Sequence, residues 1–440
     1  MPKLPAALLL AVLAALPAAA QAPGPLAERL DALVAEVAPD VVAYRRHVHQ
    51  NPELSNREVQ TAAYVADHLA RLGIEVRTGV ARTGVVGVLR GGRPGPTVAL
   101  RADMDALPVT EETGLPFAST VRAVYNGMEV GVMHACGHDA HVAMLMGAAE
   151  VFARVREDLP GTVVFIFQPA EEGAPAGEAP AGAEQMVAEG VLDGVDAIFG
   201  LHVTSSFEVG ELKTRPGGMM ASADDLRIVV RGKQTHGAYP WGGVDPIATS
   251  ALIVTGLQTI VSRQMDLTRA PAVVTIGRID GGVRSNIIPD SVMMIGTVRA
   301  LDGDMRAELH DRIRRTAASI AESQGATAEV TIAAEYGYPV TANSAALLDR
   351  MRPTLASVAG AGFDPEVAPV LGAEDFSYYA NEIPGLFLWL GIRTPGAGRD
   401  EFPPNHSPLF RIDEDALPLG VRALAHLAVG FLEGGAEVGG

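Results

Sequence analysis

The stretch MHACGHDAH, residues 133–141, concentrates more potential for chemistry than any other part of the chain. It holds three of the eleven histidines and the only cysteine. Imidazole and thiolate groups bind divalent metals, and a cysteine with a histidine can also form a nucleophile and its base. Cys136 and His138 cannot close a structural tetrahedral site by themselves, because the chain has no second cysteine pair. Which interpretation holds depends on whether distant parts of the chain supply further metal ligands or a catalytic base.

Polar side chains follow four apolar runs that predict buried strands. TVAL leads into Asp103 and Asp105, TVVFIF into Glu171 and Glu172, AIFGL into His202, and LFLWLG, after a loop, into His406. In open α/β sheets, ligands bind outside the carboxyl ends of the strands. Carboxylates and imidazoles delivered to one edge by four strands indicate a divalent-metal site there.

The number of candidate ligands points to two ions rather than one. There are five candidates, one more than the four ligands of a tetrahedral ion: Cys136, His138, Glu172, His202 and His406. Five ligands suit two ions that share a bridging group, and the thiolate of Cys136 could be that bridge.

Glu171 bears on whether the predicted metal site catalyses a reaction or only binds metal. Glu172 can serve as the metal ligand, so its neighbour is free to take a proton from water and to return it to a leaving amine. The alternative, a solvent-facing pair of glutamates at the start of a loop, stays open on the residues alone.

The elements that must position these residues alternate between strand and helix. The apolar runs lack polar alternation, which is typical of strands in an α/β sheet covered on both faces. From about residue 217 to 334 the order is strand, helix, strand, strand, helix, strand, the split ferredoxin-like βαββαβ arrangement. The sequence therefore predicts a smaller domain inserted into a larger one.

Nine motifs in order make the chain resemble a known family over nearly its whole length. They are RADMDALP, MHACGHDAHVAMLMGAA, IFQPAEEG, GLHV, HGAYPWGGVDP, SNIIPD, GTVRAL, GAEDFSYY and NHSP. The chain resembles the M20 family of metallohydrolases, in particular its aminoacylase-like amidohydrolase branch, which includes hippurate hydrolases and plant indole-acetyl-amino-acid hydrolases. The resemblance implies a zinc-peptidase-like α/β/α catalytic domain, residues 21–216 and 335–440, and an inserted ferredoxin-like lid or dimerisation domain, residues 217–334.

The resemblance also implies roles for individual residues. Glu171 matches the family's general base, and Asp105 matches an aspartate that supports the metal centre. His236 matches a lid histidine that approaches the substrate, often from the partner subunit, and Asn286 matches a substrate-binding residue of the lid. The family's metal ligands match Cys136, His138, Glu172, His202 and His406.

The implied activity is hydrolysis of the amide bond in an N-acyl or N-aroyl amino acid by metal-activated water, with two divalent ions per subunit. Zinc, manganese, cobalt and nickel stay open, as does a homodimer through the lid. A dipeptidase or an N-acetyl-diaminopimelate deacetylase is the alternative enzyme. Trp241 and Phe376 are aromatic candidates for an acyl pocket. The remaining hypotheses are a non-catalytic metal-binding protein and a cysteine hydrolase in which Cys136 is the nucleophile.

Composition restricts the partners and the compartment. The net charge of −18 and the absence of a Lys/Arg-rich block argue against nucleic acid and anionic membranes as partners. Residues 1–20 combine a basic start, a short apolar run and the small residues Ala18, Ala19 and Ala20, a pattern typical of a cleaved signal peptide. No later stretch of about eighteen uninterrupted apolar residues appears, so we expect an exported, periplasmic or secreted protein.

Overall fold

The computed structural model describes residues 25–175, 177–180 and 182–435, without the side chains of residues 25, 335 and 336. The predicted signal peptide lies outside the described residues. The helices are α1 Pro25–Gln50, α2 Val59–Arg71, α3 His138–Val155, α4 Gly182–Ala188, α5 Pro246–Gln264, α6 Gly303–Ser323, α7 Ala345–Ala359, α8 Ser377–Glu382 and α9 Leu417–Glu433.

The strands are β1 Glu75–Val80, β2 Gly84–Arg90, β3 Arg93–Asp103, β4 Arg122–Tyr125, β5 Met128–Gly131, β6 Pro160–Gln168, β7 Ala197–Glu208, β8 Leu212–Lys213, β9 Gly217–Met220, β10 Ala223–Arg231, β11 Thr235–His236, β12 Ala272–Gly281, β13 Ile287–Ile288, β14 Ser291–Ala300, β15 Thr327–Tyr338, β16 Thr341–Asn343, β17 Phe363–Asp364 and β18 Gly385–Arg393.

The larger domain is built on an eight-stranded sheet in the order β1-β2-β6-β3-β7-β18-β8-β17. The central strands β6, β3, β7 and β18 run parallel. Most of their residues are buried on both faces, which explains why these strands read as continuous apolar runs. Helices α1, α3, α7 and α9 contribute to the core on one face, and α4 and α8 to the core on the other. The predicted α/β fold covered on both faces is therefore confirmed.

One apolar helix of this core resembles a membrane span in composition. The stretch Glu414–Glu433 is long and apolar enough to cross a bilayer, but 67% of it is buried within the protein. Its residues pack in the main core with those of α1, α3 and α7. We therefore assign it to the interior of the catalytic domain.

The lid has its own antiparallel sheet, in the order β12-β14-β10-β15, and its own apolar core with α5 and α6. The chain order β10-α5-β12-β14-α6-β15 is the predicted βαββαβ arrangement. Its last strand extends to Tyr338, which still pairs with Ala223, so the lid sheet ends four residues beyond the predicted boundary at residue 334. Each helix begins at an aspartate: the Asp245 carboxylate accepts hydrogen bonds from two backbone N–H groups, and the Asp302 carboxylate accepts one. The catalytic domain with an inserted lid is thus the architecture of the molecule.

Candidate metal centre

The turn before α3 places the first two predicted ligands. Gly137 has a φ of 95°, and a Cβ atom there would lie 2.3 Å from a methyl carbon of Val203. Both the left-handed backbone and the close approach to β7 require glycine. This turn directs the buried side chains of Cys136 and His138 toward the edge of the sheet where β7 carries His202.

The five predicted ligands lie together as two groups of three. In each group the ligand atoms lie within 4.8 Å of one another. Cys136, His138 and His202 form one group, and Cys136, Glu172 and His406 form the other. Within them, 3.4 Å separates Cys136 Sγ from His202 Nε2 and 3.2 Å separates Glu172 Oε1 from His406 Nε2. Because Cys136 belongs to both groups, its sulfur is placed as a bridging ligand would be.

The hydrogen bonds of the imidazoles suit metal binding. His138 Nδ1 lies 2.8 Å from the backbone oxygen of Asp105, and His202 Nδ1 lies 2.8 Å from that of Val203. A carbonyl oxygen can only accept, so in neutral rings Nδ1 carries the proton and Nε2 has the free lone pair. His138 Nε2 is buried and has no hydrogen-bond partner among the described residues. A divalent cation would satisfy this nitrogen.

The ionisable groups around the candidate ligands also favour bound cations. Burial, and then the neighbouring Glu374 and Glu172, raise the pKa of Glu171 well above its usual value. Burial, and then Glu172 and Glu171, raise the pKa of Cys136 in the same direction. Without a cation, both shifts favour the neutral carboxyl and thiol; divalent cations at this point would lower both pKa values and favour the ionised forms that bind metal. The residues present therefore suit a two-metal centre.

Asp105 holds the turn that carries both glutamates. One of its carboxylate oxygens accepts the backbone N–H of Glu171 and the other that of Glu172, each at 3.0 Å. The second oxygen also accepts the hydroxyl of Ser55 at 2.8 Å. Asp105 thus supports the centre through the backbone of Glu171 and Glu172, in line with the support that the resemblance implies for it.

A buried ionic network behind the glutamates was missed in the sequence. The Arg101 guanidinium lies 2.7 Å from Asp103, 2.9 Å from Glu374 and 2.8 Å from Asp375. Asp375 also accepts two hydrogen bonds from the Gln168 amide. The motifs RADMDALP and GAEDFSYY contained the signal, but residues 274 positions apart show no relation without the fold.

The other two histidines of MHACGHDAH do not add ligands to the five. His141 Nε2 accepts the backbone N–H of Val203 at 2.9 Å, and Nδ1 lies 2.5 Å from Asp103. Both nitrogens of His141 are therefore engaged with the protein. His134 is fully buried, and burial lowers its pKa to about 3, so its ring is neutral.

The two predicted lid residues lie together, apart from the ligands. His236 in β11 pairs with β13, and the N–H of Gly237 donates to the backbone oxygen of Asn286 at 2.8 Å. The N–H of Ala238 donates to His236 Nδ1 at 3.0 Å, so the neutral ring carries its proton on the exposed Nε2. Neither His236 nor Asn286 lines the cavity at the metal ligands.

That cavity has a volume of about 400 Å³ and receives residues from both domains. Its lining includes Cys136, Glu171, Glu172, His202, Thr204, Met220, Arg299, Tyr338, Val370, Glu374, Trp389 and His406. Neither aromatic candidate for an acyl pocket lines this cavity: Trp241 is 80% exposed on the lid, and Phe376 is fully buried in the core. Trp389 is an aromatic side chain that does reach the cavity.

Comparison with known proteins agrees with this centre. Residues 99–429 match the model of peptidase family M20/M25/M40. The chain is 44% identical over 407 residues to thermostable carboxypeptidase 2 of Saccharolobus solfataricus, covering 92% of this chain and 99% of the relative. It is 40% identical over 395 residues to N-acetylcysteine deacetylase of Bacillus subtilis, covering 89% and 97%.

A solved structure supports the same conclusion. A dinuclear metal-binding peptidase of the M20 family from Bacillus subtilis superposes with a TM-score of 0.75 at 36% identity, covering 91% of this chain and 99% of that one. The family model and these relatives cover most of the described chain, including all five candidate ligands. The chain belongs to peptidase family M20/M25/M40 and is a metal-dependent amidohydrolase.

Proposed function

We propose that this enzyme hydrolyses the amide bond of N-acyl or N-aroyl amino acids and releases the free amino acid. The observation that carries the proposal is the pair of ligand groups that share Cys136, with Glu171 directly beside them. Relatives named for carboxypeptidase and N-acetylcysteine deacetylase activity support an amide next to an amino acid as the substrate. A dipeptidase or an N-acetyl-diaminopimelate deacetylase remains the alternative, since all of these reactions break the same kind of bond.

Cys136, His138 and His202 would hold one divalent ion, and Cys136, Glu172 and His406 would hold the other. Such ions would supply an acidified water molecule and a polarised amide carbonyl. Glu171 takes the proton from the attacking water and transfers it to the leaving nitrogen as the carbon–nitrogen bond breaks. The products are a carboxylic acid and an amino acid. Asp105 and the Arg101 network hold the turn and the carboxylates behind it in place.

Arg299 supports an amino-acid product. It lines the cavity from strand β14 of the lid, and no described residue forms an ion pair or hydrogen bond with its guanidinium. An unpaired guanidinium at a substrate cavity is suited to a carboxylate, which it can bind with two parallel hydrogen bonds. We assign to it the α-carboxylate of the amino-acid part of the substrate.

The test compares N-acetyl and N-benzoyl amino acids, their carboxamides and dipeptides, with wild type, Arg299→Met and the control Arg231→Met. Arg231 lies on the same lid sheet, is 63% exposed and pairs only loosely with Glu329, at 3.7 Å. We expect Arg299→Met to lower kcat/KM for the acids by about 10²-fold, with little effect on the carboxamides. Equal losses on acids and carboxamides would contradict the assignment, and preferred turnover of dipeptides would favour the alternative.

The proposed mechanism also includes two residues of the lid. His236, and with it Asn286, would stabilise the oxyanion of the tetrahedral intermediate through the proton on His236 Nε2. Either lid closure or a partner subunit must bring this nitrogen to the cavity, and a homodimer through the lid is our preferred arrangement.

We also propose that the enzyme is exported, on the pattern of residues 1–20. Mass spectrometry of the mature N-terminus tests this, and an intact N-terminus on cytosolic protein would refute it. Thiolate and imidazole ligands favour zinc, cobalt or nickel over manganese on softness.

A further inference from the structure

The turn that carries Glu171 is held from several sides by buried hydrogen bonds. Ala170 has a φ of 51°, a strained value for a residue other than glycine. Its N–H donates to Glu58 at 2.9 Å, and the N–H groups of Glu171 and its neighbour donate to Asp105. The backbone oxygen of Glu171 accepts the hydroxyl of Tyr338 at 2.6 Å. This turn is therefore fixed by the surrounding structure rather than by its own sequence.

Tyr338 differs from the other anchors because it belongs to the lid. It is the last residue of β15 and pairs with Ala223 of β10, inside the lid sheet. Just before it, the register between β15 and β10 shifts, and Ala333 has a φ of 56°. Such bulges re-aim the side chains that follow them. Among the side chains that the structure describes, Tyr338 is the one from the lid strands that donates to this turn.

The hydroxyl of Tyr338 cannot stay in place if the lid moves far. The chain leaves the lid directly after Tyr338, and a rotation of the lid sheet about this crossing would carry the phenol with it. The contact is buried, since only 8% of Tyr338 is exposed. Breaking it would leave the Glu171 carbonyl without this donor and free the turn to relax.

We propose that Tyr338 is a positioning residue that couples the lid to the proposed general base. With the lid placed as in this structure, its hydroxyl holds the Glu171 backbone, and displacement of the lid releases it. The inference rests on the proposed function, in which Glu171 moves the proton. It assigns to Tyr338 no contact with the substrate.

A matched control is available at the point where the chain leaves the lid, residues 337 and 338, which we call the hinge. The hydroxyl of Tyr378 donates to the backbone oxygen of Gly337 at 2.7 Å, so it also anchors a carbonyl, but at the hinge and not at Glu171. Tyr338→Phe and Tyr378→Phe each remove one hydroxyl and little volume. A comparison of the two separates positioning of Glu171 from general stiffness of the hinge.

We expect Tyr338→Phe to lower kcat about tenfold, with KM, metal content and melting temperature close to wild type, because a small misplacement of a catalytic group costs rate rather than binding. Tyr378→Phe should keep kcat within about twofold of wild type. In a Glu171→Asp background, whose base is already displaced, Tyr338→Phe should have much less effect.

Wild-type kcat in Tyr338→Phe would overturn the inference, and so would equal losses in both tyrosine variants or full additivity with Glu171→Asp. These outcomes are distinct from a failure of the proposed function. That failure would appear as full activity in Glu171→Gln, whatever Tyr338→Phe does.

Discussion

At the scale of single residues, the neighbouring side chains of Glu171 and Glu172 lie in different surroundings. Glu171 is buried beside Glu374 and Asp375, whereas Glu172 lies with Cys136 and His406. Both depend on Asp105, which binds their N–H groups. One turn therefore sets the positions of the two glutamates to which we assign proton transfer and metal binding.

Substituting the two glutamates separately tests this division. Glu171→Gln should retain its metal and lose about 10²–10⁴-fold in kcat, because glutamine cannot accept and return the proton. Glu172→Gln should lose metal affinity, because an amide oxygen is a weaker ligand than a carboxylate. Metal analysis and turnover of both purified variants check this. A Glu171→Gln enzyme with metal and full activity would show that Glu171 is not the base.

At the scale of elements, much of the site follows from the ends of strands. Apolar runs predict β3, β6, β7 and β18, and parallel strands end at one edge, so their polar successors had to meet there. The meeting of Glu172, His202 and His406 at this edge was therefore predictable. Cys136 and His138 lie instead at the turn into α3 and were predicted from their residue types. The Arg101 network and the role of Tyr338 were not, because they depend on contacts between segments that only the folded chain brings together. The place of His236 relative to the cavity depends on a domain arrangement that local patterns do not specify.

The lid also contains a buried ionic group that stabilises its base. Asp224, at the start of β10, is buried, and Arg306 and His310 of α6 lie 2.5 Å and 2.9 Å from its carboxylate. Burial alone would raise the pKa of Asp224, but hydrogen bonds from His310 and Arg306 outweigh it and lower the pKa below the usual aspartate value. The ionised carboxylate of Asp224 thus links β10 to α6.

Replacing this aspartate should destabilise the lid in a pH-dependent way. Because the folded pKa is lowered, the contribution of Asp224 is present above the unfolded value of about 3.9 and is lost as pH falls through the folded value. We expect Asp224→Asn to cost about 1–3 kcal/mol at pH 7 and the difference from wild type to shrink below about pH 4. Thermal unfolding of both proteins across pH measures it.

The exposed Asp311 of α6 offers a control. Its substitution by asparagine should change stability by less than about 0.5 kcal/mol. A pH-independent loss in Asp224→Asn would contradict the assignment of its ionised form.

At the scale of the whole molecule, the centre is divided between two bodies. The catalytic domain holds all five candidate metal ligands and Glu171, while the lid holds Arg299, Tyr338 and the exposed His236. We propose that turnover depends on how the lid is placed and that a second subunit supplies His236 to the cavity. The relation between the two bodies then governs both substrate binding and the position of the base.

Mixing two inactive variants tests the contribution of a partner subunit. If His236 acts from the partner, a heterodimer of Glu171→Gln and His236→Ala contains one site with both residues intact. Statistical exchange of subunits should then restore up to about a quarter of wild-type activity. If His236 acts within its own chain, the mixture stays as inactive as its components.

We propose, as the central point, that two divalent ions share the thiolate of Cys136. The most direct measurement is metal content per chain by mass spectrometry, on the same samples whose amide turnover is measured, for wild type and Cys136→Ala. We predict two ions per chain in the wild type, and loss of bound metal together with turnover in the variant, because both ligand groups contain Cys136. Full turnover with one ion per chain, or a Cys136→Ala enzyme that keeps both metal and turnover, would contradict the account.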